Sequence, residues 1–516
     1  MRRVALLLVA LAACTTPGVR SESAVQQTVP TTEAPPPETT EAAPEPTEPT
    51  DSTESNDDDP STTEPDEGDP TTTTSEIVET GEESIGDSLF PELGTDDLDV
   101  QSYDVRLQYD RATRVIDGAV TITALTKGEL DRLILDAKGI DVEAVTVDSV
   151  ASDFALTGDE LVITLPVEVP TGALVAIDVT YSAQAASMTS PDVDEGWFAT
   201  AEGSYVINEP NGARTWLPSN DHPSDKATWR FEVTVPTGTT AVANGALLEQ
   251  RSGPDGDTWV WDQRQPMATY LVQVLTGDYE ILDRGVVGTI PIVDVALAED
   301  VERMAPYFEL TDDQLAFFEP LFGPYPLDRY GLAFADSFPG LAMETQGRSL
   351  FSRDDFPGGQ PGQIEHLLLS HELAHQWFGD AVTPADWSDL WLNESFATYG
   401  QWLWLDHTGL FPLEAQADTN LAFRQDFTGS TAEPSVDDLF GYERYDGGAV
   451  VLHALRLEMG DDAFFTLLQR WVADNNGTSR RTEDFVALAS EVVGRDLTTF
   501  FDAWLFAEDI PDQYPG

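Results

Sequence analysis

The chain has 516 residues, of which 93 are Asp or Glu and 26 are Lys or Arg, for a formal net charge of -67. That length accommodates two or three domains, and such an acid excess excludes nucleic acid as a partner, because phosphate binding needs clustered Lys and Arg. About 24 of the acids precede residue 100, so the remainder is strongly acidic too, a solvated surface that keeps the chain soluble.

Arg2 and Arg3 followed by a short apolar run at 4–10 have the form of an export signal, and the run is too short to span a bilayer. Leu11-Ala12-Ala13-Cys14 resembles a bacterial lipoprotein cleavage box. Residues 1–14 are therefore expected to be a signal, with Cys14 carrying a lipid that anchors the protein on the extracytoplasmic face of the cell membrane. An ordinary secretory signal with an incidental Cys is the alternative. Cys14 is the single cysteine, so disulfides contribute nothing. Residues 15–97, rich in Thr, Pro, Glu, Asp and Ser, lack the apolar surface to offset chain entropy and are expected to form a disordered, extended tether. Residues 98–287 read as strands: 103–109, 119–123 and 229–235 alternate apolar with polar, and Gly- and Asp-rich turns separate the runs. An all-β domain, sandwich- or saddle-shaped, is expected there. Over 288–516 helical periodicity takes over, at 301–318, 362–378, 387–404, 447–459, 463–475, 481–493 and 497–506. The fold class is thus multidomain α+β, an all-β domain followed by a mainly α domain.

Within the helical part, His371-Glu372-Leu373-Ala374-His375 is followed after eighteen residues by Glu394. Residues four apart lie on one helix face, so both imidazoles can converge on one metal ion, while Glu372 projects about 100° away, near an attacking water. Glu394 from the second helix completes three protein ligands and leaves one position open, the pattern of catalytic zinc; structural zinc usually closes its tetrahedron with Cys. A chance motif with one His in a core and one in solvent is the bland alternative. The context favours the metal: Glu394 lies in the apolar, aromatic run 387–404, where a carboxylate needs a partner.

Further stretches stand in a fixed order around this motif: Gly340-Leu341-Ala342-Met343-Glu344 upstream, Tyr445-Asp446-Gly447-Gly448-Ala449 downstream, and, more weakly, 209–218, 225–228, 267–271 and 500–505. Over residues 98–508 the chain resembles the gluzincin aminopeptidases related to aminopeptidase N. The resemblance implies that the domain at 288–516 is thermolysin-like, holds one Zn2+ and removes N-terminal residues from peptides with a free N-terminus. It implies too that the C-terminal helical domain of many relatives is missing, which opens the cleft. A monomer is expected. Matched motif to motif, Glu344 grips the substrate's α-amine, Glu209 shares it, and Ala342 and Met343 line the bound peptide. Tyr445 supplies a hydroxyl to the oxyanion, with Tyr442 as its rival. Ile207, Thr345 and Gly447 depart from the family pattern. Glu372 is then the base that takes the water's proton and passes it to the leaving amine. Two rival readings share the ligands: an endopeptidase without an amine anchor, and a surface binding protein that holds zinc without catalysis.

Overall fold

The computed structural model describes residues 84–189, 194–426 and 428–516. The expected signal and lipid site at 1–14, with most of the expected tether, lie outside them. The first half is built of β-sheets. An eight-stranded sheet has the order Ala246–Gly253, Gly256–Met267, Ala227–Val235, Leu98–Asp110, Val115–Thr126, Leu174–Gln184, Asp141–Val147, Val150–Ala151. Leu98 and Val100 are buried, as are Tyr103, Val105, Leu107 and Tyr109. The two sets are out of phase by one residue, and a bulge between Val100 and Ser102 puts both on the core side. A five-stranded sheet and a three-stranded sheet complete this half.

The second half is mainly helical: α1 Val301–Phe322, α2 Gln363–His375, α3 Trp391–His407, α4 Leu413–Arg424, α5 Asp446–Met459, α6 Asp461–Asn475, α7 Thr482–Val493 and α8 Thr498–Trp504. It also holds a mixed five-stranded sheet, ordered Tyr279–Val287, Ile290–Leu297, Leu332–Ala335, Ser349–Ser352, Ala342–Met343. The hairpin of the first two strands straddles the boundary expected at 287/288. Each half has its own apolar core, one around the eight-stranded sheet and one among the helices.

Residues 84–97 correct the expectation of a tether running to residue 97. Ser84 bridges Thr95, and Leu93 is 1% exposed. The Asp87 carboxylate accepts from the N–H groups of Leu89 (2.9 Å) and Phe90 (2.8 Å), and from Trp387 N–H at 2.7 Å. Its Oδ2 also lies 3.2 Å from His222 Nε2. Ser88 N–H donates to Asp386 at 3.1 Å. Composition treats these acids as solvated, whereas Asp87 has backbone donors from the strap itself and from the second half to receive it.

Below this strap, the buried Asp136 carboxylate accepts from Asp221 N–H at 2.8 Å and Gly94 N–H at 3.3 Å. Burial, reinforced by the neighbouring Asp221 charge, pushes Asp136 up to about 7. A carboxyl raised on folding stabilises the fold fully below the ordinary carboxylate range and loses that contribution as pH rises through about 7. Between pH 5 and pH 8 Asp136 therefore removes on the order of 3 kcal/mol of stability. The D136N variant is expected to melt with a smaller difference between those two pH values than the parent; an undiminished difference in calorimetry would contradict the assignment.

Candidate active site

Helix α2 buries Leu368, Leu369, Leu373 and Ala374, and that stripe sets the rotation of the helix. Its other face turns His371 and His375 toward Glu394 in the first turn of α3. His371 Nε2 lies 3.1 Å from Glu394 Oε2 and 3.1 Å from His375 Nε2, and His375 Nε2 lies 3.4 Å from the same oxygen. Ligands at 2.0–2.1 Å in a tetrahedral array sit ~3.3 Å apart, so these three atoms mark three corners of such a site. His375 Nδ1 donates to Phe378 O at 3.1 Å, which leaves Nε2 with its lone pair facing the cluster. Two imidazole nitrogens and a carboxylate oxygen in one buried triangle suit zinc in both softness and number. The residues fit the metal.

The same small volume takes three further carboxylates out of water. Glu372, Glu344 and Glu209 are 4%, 3% and 8% exposed, and each has one oxygen with no hydrogen-bond partner among the described residues. Burial, with neighbouring acids, raises all three above the usual carboxylate range. Glu394 goes the other way. Burial opposes its ionisation, but the His375 and His371 imidazoles outweigh that and hold it at about 2. The ligand carboxylate is therefore set apart electrostatically from its neighbours, which await positive partners.

Tyr445 caps the start of α5, its ring 6.1 Å from that of His371 and within 14° of parallel. Its phenol is pushed up by burial and by the Glu394 charge, so it stays protonated and can donate. Tyr442 is settled elsewhere, its hydroxyl donating to Asn420 O at 2.9 Å. The approach of α5 to α3 depends on Gly448, where a Cβ would lie 1.7 Å from Ser395 Oγ. That hydroxyl donates to Arg444 O at 2.6 Å, tying the residue after Glu394 to the residue before Tyr445.

Ala342 and Met343 form the edge of the five-stranded sheet, opposite Phe351 and Leu350. Ser352 N–H bonds Leu341 O at 2.9 Å. Alternation along an antiparallel ladder then turns the N–H and C=O of Ala342 outward, to the open side. One residue of an extended peptide can pair there with two hydrogen bonds. Of the departures, Ile207 is a buried strand residue two before Glu209. Thr345 turns inward, donating to Arg348 O and accepting from Gln273 Nε2 at 2.8 Å.

A seam between the halves surrounds these residues, and its members were missed from sequence. Lys226 Nζ donates to Asp380 O at 2.7 Å and Ala381 O at 3.3 Å. Tyr270 donates to Gly379 O at 3.1 Å and accepts from Asn393 Nδ2 at 3.2 Å. Gln376, directly after His375, donates to Glu344 O at 3.0 Å and accepts from Gly347 N–H at 2.8 Å. The only sequence signal was the stretches 225–228 and 267–271, which carried no role.

With that geometry in hand, comparison with known proteins is direct. Residues 100–271 match the peptidase M1 N-terminal domain, and residues 307–504 match the peptidase family M1 domain. Aminopeptidase N of Streptomyces lividans is 30% identical over 331 residues, 58% of this chain and 38% of that protein. A probable aminopeptidase 1 of Sulfurisphaera tokodaii is 24% identical over 439 residues, 80% of this chain and 54% of that one. The chain thus spans about half the length, or less, of these curated relatives. Among solved structures, an M1 zinc metallopeptidase from Deinococcus radiodurans superposes with a TM-score of 0.77 at 32% identity, covering 84% of this chain and 99% of that one. A mutant of it bound to a Tyr-Ser-Ala substrate superposes equally well. The chain belongs to peptidase family M1.

Purified protein dialysed against zinc is expected to retain one equivalent by elemental analysis, and Glu394→Ala to fall well below one. Full retention by the variant would remove Glu394 from the ligand set.

Proposed function

We propose that this chain is a zinc-dependent aminopeptidase that releases the first residue of peptides with a free N-terminus. The observation that carries the reading is the pairing of a His-His-Glu triangle with three further buried carboxylates close by, each keeping one oxygen without a partner among the described residues. When bound, zinc supplies Lewis-acid polarisation of the scissile carbonyl and acidification of water. Glu372 follows His371 in α2 and is buried beside the triangle. Its raised affinity for protons suits it to take one from the attacking water and return it to the leaving amine. The Tyr445 hydroxyl donates to the oxyanion as it forms, a contribution of about 3 kcal/mol for one such donor.

Glu344 and Glu209 hold the substrate's ammonium. Each keeps one acceptor oxygen without a partner in a water-poor place, so a free amine satisfies it and a blocked one leaves it stranded. The free amine is thereby the entry requirement, which separates exopeptidase from endopeptidase action. Ala342 pairs with the peptide backbone just past the first residue, and Met343 lies beside it. We also read the protein as a monomer, exported and held by a lipid on Cys14 at the extracytoplasmic face of the membrane. The form of residues 1–14 supports the anchor.

Two measurements test the activity. Glu372→Gln should keep its zinc while kcat falls by roughly 10^3-fold or more; turnover near the parent rate would refute its role as base. A free-amine peptide should be cleaved at least about 10^3 times better than its N-acetylated twin, a preference largely lost in Glu344→Ala. An equal loss on both peptides would take Glu344 out of amine recognition.

A further inference from the structure

Beyond the amine anchors and the single backbone rung at Ala342, the same sheet edge leads back to one more feature, an aromatic patch around Phe338. Residues 338–341 make a tight turn, with Leu341 N–H bonded to Phe338 O at 3.4 Å. Pro339 is second in the turn and Gly340 third, with φ +89°, which is a type II turn. Gly340 N–H is already taken by the Asp355 carboxylate at 2.6 Å. The edge therefore offers a peptide no second rung on that side. What it presents instead is Phe338, 49% exposed at the head of the turn.

Phe338 is not a stray surface ring. Its centroid lies 6.2 Å from that of Phe198, which stacks on Tyr205 at 5.0 Å and 1°. Phe198 and Tyr205 are cross-strand partners in the first half of the chain. Tyr205 and Ile207 share one face of their strand, and Glu209 lies two residues past its end, in the turn that follows. Nearby, the Asp336 carboxylate accepts from Glu202 N–H at 3.2 Å, closing the seam at this end.

Two walls therefore run from an amine anchor to the same aromatic cluster. Along one, the four residues from Glu209 to Tyr205 span at most roughly 13 Å, with Tyr205 and Ile207 in strand and Glu209 in the turn beyond it. Along the other, the peptide residue that pairs with Ala342 is the second, since the first is held by its amine at Glu344. Antiparallel pairing sets the fourth opposite Gly340, and Phe338 is within 7 Å of Leu341 by the definition of the turn. An extended peptide reaches the patch at about its fourth residue by either measure.

We propose that Phe338, backed by Phe198, forms a distal subsite for an apolar or aromatic side chain at the fourth position of a peptide substrate. The proposal rests on the aminopeptidase reading for its direction along the cleft. It makes the favoured substrates oligopeptides of at least four residues, with an apolar residue well downstream of the bond that is cut.

The test uses two free-amine pentapeptides identical except for Phe or Gly at position four. For the parent enzyme kcat/KM is expected to be roughly tenfold higher for the Phe peptide. In Phe338→Ser the ratio should collapse toward one, and in Phe338→Leu, which keeps an apolar side chain on the same turn, most of it should persist. A parent ratio near one, or a ratio that survives in Phe338→Ser, overturns the subsite. Calorimetric titration of both peptides into Glu372→Gln protein reads the preference without turnover. Tighter binding of the Phe peptide by Glu372→Gln protein, together with a parent enzyme that releases no N-terminal residue from either peptide, would refute the aminopeptidase reading and leave the subsite standing.

Discussion

Four carboxylates, those of Glu209, Glu344, Glu372 and Glu394, are withdrawn from water within one small region of the chain, close to two imidazoles. Unpaired charge in such a place is strongly unfavourable, and the fold tolerates it only where cations are to be supplied. A divalent ion answers Glu394 together with His371 and His375, and in the proposed function a substrate ammonium answers Glu344 and Glu209. Glu372 is buried beside them, where burial and the neighbouring acids raise its proton affinity, and the proposed function uses it as the carrier of protons. Anchor, base and ligand are chemically the same group, and their neighbours alone divide the labour.

Holding that arrangement is the work of the seam. The short connection from α2 to α3 runs through Gly379, Asp380 and Ala381, whose carbonyls receive Tyr270 and Lys226 from the β-rich half. Tyr270 meets Asn393 immediately before Glu394, and Gln376 immediately after His375 grips the carbonyl of Glu344. Asn393 and Gln376 each sit one residue away from a metal-ligand side chain. Displacement of the β-rich half would accordingly be felt at the metal ligands through backbone geometry, before any contact to them was lost.

Much of this was legible in the sequence, for reasons that can be named. His371, His375 and Glu394 announce themselves because the helical period fixes their common face, and strands such as Ala227–Val235 do so by alternation. The strands Leu332–Ala335 and Ser349–Ser352 do not, since each is four residues buried on every side and so carries no period. Helix α4 escaped notice because its few buried residues, Leu413, Ala417 and Leu421 among them, make only a thin stripe in a polar segment. Lys226 and Tyr270 act on partners more than a hundred positions away, and no local pattern encodes such a meeting. Tyr445 was chosen over Tyr442 by resemblance; the structure adds the physical ground, a ring set beside His371.

The strap at residues 84–97 bears on how the molecule is assembled in time. Asp87 and Ser88 bind Trp387 and Asp386, three hundred positions later, and Trp387 packs edge-on against Tyr270 at 5.3 Å. The earliest of the described residues to leave the ribosome are thus matched to a segment synthesised long afterwards. Its contacts form only when the helical half has emerged, so the β-rich half first folds with one border unfinished, and closing that border joins beginning and end into a single cooperative body.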